Sequence, residues 1–410
     1  MAGLDFAGAS NTLKEDYQPA IRENVNQQIM LVNQVSQNTE AFAGGEEAVI
    51  AIHVTRNNGT GARKDGATLP TAGKQGHIKL RIPVKLNYGV LKVTGKTIEA
   101  MKSDKGSFAR AIELESNGLV KDLKRDYNRQ LYTPSNGTIA TVASGTSTTV
   151  FVVDDKAEAR RLEPGALVDI YNSSFVVQDT GAEVLSTVIS TKTITLVAAL
   201  AGTPSANDII VRAGVVPVAV TSAATEFLTD EIHGLTDIVD DGVLYPWLHG
   251  IDGTASTIWK SYQKAVSAVP SDTVFEEAME EVDLQSNDMI DLWITSMAAR
   301  RTYAAGLKSQ KRFPGTLKLK GGFKATTISS GGEEVALFAE RDCPDATAFG
   351  VTLDALQEFI LSDWHFMDLN GTVLDKVAGE DAYVAIMRKY SEFGTDRRNA
   401  HAKLTGLVTV

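Results

Sequence analysis

The sequence predicts an α+β chain with an all-β domain inserted into it. Three observations carry that prediction. A long amphipathic pattern over 103–131 reads as one helix. At Pro134 the composition changes to short β-branched runs that continue to 214. Upstream, two runs alternating with period two enclose a glycine-rich loop, the pattern of a long hairpin.

In the helix, Phe108, Ile112, Leu119, Leu123, Tyr127 and Leu131 make one stripe. Lys121, Lys124, Arg125 and Arg129 crowd its last third, where the helix dipole favours cations, and Pro134 ends it. At 1.5 Å per residue it is roughly 40 Å long, enough to serve as a domain's backbone. In the insertion, strands are expected at Thr138–Val142, Thr148–Val153, Leu167–Tyr171, Val184–Ile189, Thr193–Val197 and Asp208–Val211. Turn signals such as Glu163-Pro164-Gly165 separate them, and the even spacing points to a small antiparallel barrel or sandwich.

The hairpin's first strand alternates Ala48, Ile50, Ile52 and Val54; its second alternates Ile78, Leu80, Ile82, Val84 and Leu86. Lys79, Arg81 and Lys85 occupy the opposite face of the second strand. Pro83 removes a ladder donor there and marks an edge. The loop 56–77 holds Gly59, Gly61, Gly66, Gly73 and Gly76, and a loop that long in a compact domain is usually functional or disordered. The whole is expected to project as a finger. Before it, Leu13, Tyr17, Ile21, Val25, Ile29, Val32 and Val35 predict a helix over 12–38, either packed on its own domain or docked on a neighbour as an arm. Beyond 222, the pattern predicts helices at 273–283 and 296–309 and strands at 289–295 and 382–387. A hairpin turn is expected at Asn370-Gly371.

Charge is divided sharply along the chain. Residues 53–85 carry Arg56, Arg63, Lys64, Lys74, Lys79, Arg81 and Lys85 against one acid, Asp65. Residues 226–298 carry fifteen acids and two bases, Lys260 and Lys264, which exceeds the whole chain's net charge of −11. Such a split predicts that one copy's finger meets another copy's acidic surface, at 226–241 or 272–291. The net charge argues against wholesale nucleic-acid binding.

The 410 residues exceed one ordinary domain, and 43% hydrophobic content is that of a folded globular protein. No stretch suits a membrane span, and the first residues lack the pattern of a secretion signal. Cys343 is alone, so neither a disulfide framework nor a cysteine-based metal site is expected, in keeping with a reducing cytoplasm. The six histidines, at 53, 77, 233, 249, 365 and 401, show no metal spacing. Walker A, dinucleotide and nucleophile-elbow motifs are absent, and Glu276, Glu277, Glu280 and Glu281 read as a solvated helix face. No catalytic residue, cofactor or metal is predicted.

The order of several short segments then resembles the major capsid proteins of tailed double-stranded-DNA bacteriophages. These are Thr12-Leu13-Lys14-Glu15-Asp16-Tyr17, Ile52-His53-Val54, Leu69-Pro70-Thr71-Ala72-Gly73, Asn128-Arg129-Gln130-Leu131-Tyr132 and Glu231-Ile232-His233-Gly234-Leu235. The last is Tyr390 followed by Arg397-Arg398-Asn399-Ala400-His401-Ala402-Lys403-Leu404-Thr405-Gly406-Leu407. The resemblance implies the Hong Kong 97-type capsid fold. Its parts would be an N-terminal arm at 1–45, an E-loop finger at 46–90 and a P-domain with spine helix at 91–133 and 340–395. The A-domain would take 215–339 and 396–410, with 135–214 as an added β-domain. It also implies a non-enzymatic subunit that forms hexamers and pentamers of an icosahedral shell, with the finger's cations on the next subunit. The expected partners are further copies, a scaffolding protein, a portal and a decoration protein. The shell would enclose double-stranded DNA without gripping it specifically, as a virion capsid assembled in the host cytoplasm without a membrane. Some relatives cross-link a finger lysine to an asparagine. Lys64 and Lys74 lie in the corresponding finger and Asn399 is an unaligned candidate acceptor, but no matching catalytic acid accompanies them. The alternatives are an encapsulin-like compartment shell and, from another class, a hydrolase with 56–77 as a lid.

Overall fold

The computed structural model describes residues 29–42, 47–96, 105–256, 258–309, 316–319, 324–330, 333–368 and 373–409. Most of the expected N-terminal helix and the Asn370-Gly371 turn lie outside these residues. The described end of that helix corrects the sequence reading. A single helical turn, Met30–Gln34, stops at Val35, whose backbone is extended. Ser36–Asn38 then pairs in parallel with Gln357–Phe359. An open strand edge elsewhere in the chain decides this, and local periodicity carries no sign of it.

Two sheets build the body. In the first, Leu356–Phe366 lies antiparallel to the long strand Ala382–Thr395, which in turn pairs with Lys85–Thr94. The spine helix, Lys105–Gln130, lies on this sheet through Leu119, Leu123 and Tyr127. Close approach depends on Gly89: a Cβ there would sit 2.9 Å from Leu119 Cδ1 and from Leu123 Cδ2. Under the helix, the Lys389 ammonium donates to Glu358 Oε1 at 2.6 Å, and the Tyr127 hydroxyl donates to the same oxygen at 2.6 Å. Lys389 and Glu358 are fully buried, so losing either partner would strand the other charge in the core.

The second sheet has seven strands among the described residues. Their order is Tyr262–Ala265, Ala402–Thr405, Ala348–Val351, Leu292–Ser296, Glu333–Glu340, Lys324–Ser330 and Thr316–Lys318. Helices Asp272–Ser286 and Met297–Ser309 cover it, and Phe275 meets Trp293 and Tyr303 edge-on at 4.9 and 5.8 Å. The basic tail motif is internal. Arg398 is fully buried and donates to the backbone carbonyls of Ile238, Asp237 and Tyr245 at 2.8–3.1 Å.

The insertion forms a closed antiparallel barrel. Around the ring come Ile209–Arg212, Thr138–Gly145, Val150–Val153, Thr193–Leu196, Val177–Val188 and Leu167–Tyr171, which pairs back to the first. Closure leaves no free edge, and Ile139, Val142, Phe151, Val168, Ile170, Ile194 and Ile210 fill a core separate from those of the two sheets. Sequence reading missed the short helix Lys156–Arg161. Its signal was present: Asp155 and Glu158 form a capping box. Arg125 of the spine pairs with Glu163, Arg212 reaches Asp126 at 2.8 Å, and Arg161 donates to the Asp342 carbonyl at 2.6 Å. One spine arginine and two barrel arginines thus hold the barrel to the body.

Residues 135–214 expressed alone should give a cooperative melt and a β-type circular dichroism spectrum; a disordered spectrum would contradict a self-sufficient core. Burial raises the Glu158 carboxyl from 4.5 to about 7. Folded barrel therefore holds this proton more tightly than unfolded chain. The contribution is complete below pH 4.5 and is lost as pH rises through about 7. The melting temperature of the full chain, in which Glu158 lies beside Tyr132, Thr236 and Pro344, should fall across that window, and Glu158→Gln should flatten the fall. An unchanged slope in the variant would assign the dependence to another group.

Candidate functional site

The finger is a two-stranded ribbon, Glu47–Thr55 against Gly76–Pro83, in register from Glu47 opposite Pro83 to His53 opposite His77, with a one-residue shift before Thr55 meets Gly76. Its inward residues grade from buried to partly exposed along its length. Ala48, Leu80 and Ile82 are buried at the root, while Ile50, Ile52 and Val54 are half-buried. The root is stitched to the body, where the Arg81 amide donates to the His249 carbonyl at 2.9 Å. An isolated two-stranded ribbon is marginally stable in water, so its far half needs a surface to rest on.

The loop 56–75 has no regular secondary structure. The Asn57 side chain accepts from the Gly59 amide at 2.7 Å, and the Ala67 amide donates to the Lys64 carbonyl across a turn with Gly66 at φ +72°. Arg56, Arg63, Lys64, Lys74, Lys79 and Arg81 are all exposed on the finger. Arg63 reaches only its neighbour's carbonyl, at Ala62, and Arg81 lies 3.6 Å from Glu47 across the ribbon.

Lys85 departs from the sequence reading. It is 4% exposed and donates to the backbone carbonyl of Thr229 and, at 2.9 Å, to its hydroxyl. The reason is a break in the strand. The ladder to the first finger strand ends at Pro83, Val84 is unpaired, and a new strand starts at Lys85 against Ala382–Thr395. The in–out phase slips by one residue at the break. Lys85 turns inward and Leu86 outward, the reverse of the alternation expected from Ile78 to Leu86. Burial lowers the Lys85 ammonium from its usual value, and Glu392, Glu226, Asp230 and Asp237 oppose that shift. Lys85 therefore belongs to the finger's anchorage.

The acidic region also divides. Glu226, Glu231, Asp237 and Asp240 are buried and engaged within the chain, Glu231 with Arg129 and Asp237 with the Ser135 amide. These four leave the set of acids a neighbour's finger could reach. The helix Asp272–Ser286 differs: Phe275, Ala278, Met279 and Val282 face inward, which leaves Glu277, Glu280 and Asp283 exposed. Four-residue spacing of the apolar positions produces this separation.

No protein-family model matches the sequence, and no curated protein does. Solved structures do match. The capsid asymmetric unit of cyanophage A-1(L) aligns at 9% identity and a TM-score of 0.50, over 93% of this chain and 93% of that chain. The capsid of a native GTA particle aligns at 9% identity and a TM-score of 0.46, over 93% and 90%. The holo-SrpI encapsulin complex from Synechococcus elongatus PCC 7942 aligns at 10% identity and a TM-score of 0.43, over 99% and 96%.

Lys85→Ala should destabilise the chain by about 1–3 kcal/mol, because it leaves the buried Thr229 carbonyl and hydroxyl without their donor. Lys79→Ala, on the exposed face of the strand before the break, should change stability by less than about 0.5 kcal/mol. Chemical denaturation of both variants checks this, and equal effects would refute the phase slip.

Proposed function

The chain has the Hong Kong 97-type phage capsid fold, and from that premise we propose that it is a major capsid protein that assembles into hexamers and pentamers of an icosahedral shell. The finger carries the reading. Its root is embedded in the chain's own core, while four cations on its extended loop, with Lys79 and Arg81 on its second strand, point outward. A segment so built is suited to lie on another copy. The exposed acids of the helix Asp272–Ser286, with Asp291 beyond it, are the best complement.

Each exposed ion pair contributes only roughly 0–1 kcal/mol. Repeated around a ring of subunits, such pairs set register and partner choice, and apolar contact supplies most of the adhesion. Val49, Ile78 and Leu69 on the finger, and Leu86, Tyr88 and Val90 on the following strand, expose apolar surface for this purpose. The role is structural and non-enzymatic. In the assembled virion the shell would enclose double-stranded DNA and slide on it without sequence-specific contact. Two of the spine cations that would most readily meet phosphate, Arg125 and Arg129, are engaged by Glu163 and Glu231. Assembly in the host cytoplasm with a scaffolding protein, a portal and a decoration protein completes the proposal.

Arg63→Glu with Lys64→Glu should block or slow particle formation and leave the unassembled chain's melting temperature within about 1 °C of wild type, since both positions are exposed. Higher salt should weaken early assembly of the wild type, because screening acts within about 10 Å at 0.1 M. Size-exclusion chromatography and electron microscopy read the result. Normal particles from the double variant would assign the interface to backbone and apolar contacts.

A further inference from the structure

Behind the finger's root, three residues of the stretch 226–249 and one from the distant long strand meet in a buried polar cluster. Glu226 closes the short helix Ala223–Glu226. His233 precedes the turn Leu235–Ile238. His249 lies between the strands Trp247–Leu248 and Ile251–Asp252, and Glu392 sits on the long strand Ala382–Thr395. All four are buried. One oxygen of Glu226 and one ring nitrogen from each histidine lie within 4.8 Å of one another.

The hydrogen bonding of this cluster is incomplete in a directed way. The His233 amide donates to Glu392 Oε1 at 2.7 Å, and His233 Nδ1 lies 3.0 Å from Glu392 Oε2. A carboxylate only accepts, so the Nδ1 proton is on the ring and, in the neutral imidazole, Nε2 carries a lone pair. That Nε2 has no hydrogen-bond partner among the described residues and faces Glu226 Oε1 at 3.6 Å. Two acceptors turned toward each other in a buried space repel unless a proton or a metal ion stands between them. Neither ring nitrogen of His249 has a partner among the described residues either. Its backbone is left-handed, φ 54°, a conformation that costs energy for a residue of this size, and it is retained with the ring in the cluster. Glu226 is oriented from behind by the amides of His249 and Gly250.

We propose that Glu226, His233 and His249 bind one divalent transition-metal ion, with zinc(II) the best match to two imidazoles and a carboxylate. Ligand atoms about 2.0–2.1 Å from a shared tetrahedral ion lie about 3.3 Å apart, so the three groups need only close inward. Glu392 then acts as the outer carboxylate that fixes the tautomer and direction of a liganding histidine, an arrangement common around zinc. Lys85 and Arg398 add positive charge near His249, and Glu226, Glu392 and Asp237 offset it. The Lys85 ammonium is itself turned to Thr229. The bound ion would join the His249 loop, which holds the finger strand at Arg81, to the long strand of the first sheet by way of His233 and Glu392. It would thus fix the finger's root.

Cobalt(II) is the probe, since in a tetrahedral site it gives an intense visible absorption that octahedral aqueous ion lacks. Full-length chain is refolded from chelator-treated denaturant with cobalt(II). Wild type should take up one equivalent and show the tetrahedral band, and zinc should abolish the band by displacement. His249→Asn removes a ligand while asparagine tolerates the left-handed backbone, and it should lose the band while still melting cooperatively. Glu226→Gln is the second ligand variant, used with the same expectation if His249→Asn does not fold. Glu392→Gln should weaken binding by about 10–100-fold without eliminating it. The double variant His53→Ala with His77→Ala removes the exposed histidine pair of the finger, whose rings lie 5.4 Å apart, and should keep the band. Absence of a tetrahedral band in wild type overturns the proposal and leaves His233 as an imidazolium bridging Glu392 and Glu226. A band that survives in a folded ligand variant, or disappears with the His53 and His77 pair, overturns it as well. None of these readings depends on shell assembly, so failure here leaves the capsid assignment standing.

Discussion

The buried contact between Arg129 and Glu231 is the constraint on which the rest of this chain's arrangement depends. Arg129 ends the spine helix, and its guanidinium donates to both oxygens of Glu231, to Asp126 and to Thr133. Glu231 lies about a hundred residues later, beyond the whole barrel. Around the pair the backbone is stitched as well: the Glu231 amide donates to the Ser135 carbonyl and the Leu235 amide to the Leu131 carbonyl. The chain therefore leaves for the barrel and returns from it at one place. That is why an added domain does not disturb the body. A buried, multiply hydrogen-bonded arginine resists substitution, because either partner alone would be a stranded charge.

From this junction the finger's design follows. Its root is held by core contacts, by the Arg81 amide and by Lys85, all on the side of the body that the spine's end fixes. Its far half has none of these. The outward cations cost little while solvated, and they gain meaning only against an opposing surface. A ribbon fixed at one end and free at the other keeps its direction but can adjust to a surface that it meets.

The acidic bias of residues 226–298 serves two ends. Part of it is architecture: Glu226, Glu231, Asp237 and Asp240 cap amides or pair with buried cations. Another part lies on the outer face of the helix Asp272–Ser286, where Glu277, Glu280 and Asp283 are exposed. Both kinds look alike in a charge count. Position relative to the apolar stripe separates them on the helix, where the period is regular. In the irregular stretch 226–241 no period exists to make that separation.

What the sequence determined by itself were the features with local causes. The spine helix, the helices near 272–286 and 297–309, and the six barrel strands arise from periodicity and turn residues, and the structure keeps them within a few residues of expectation, except that the strand expected at 184–189 begins at Val177. Lys79 and Arg81 are exposed for the same reason, since alternation along an unbroken strand assigns faces, and Arg56, Arg63, Lys64 and Lys74 are exposed because they lie on the loop. Tertiary structure decided the rest. Lys85 turned inward because its strand changed partners at Val84, and a one-residue slip reverses every face. Ser36–Asn38 became a strand because an edge 320 residues away was open. His233 and His249, with no metal spacing between them, meet Glu226 and Glu392 because separate loops and a central strand converge. Local pattern follows from side chains a few positions apart, and such convergence follows only from the path of the folded chain.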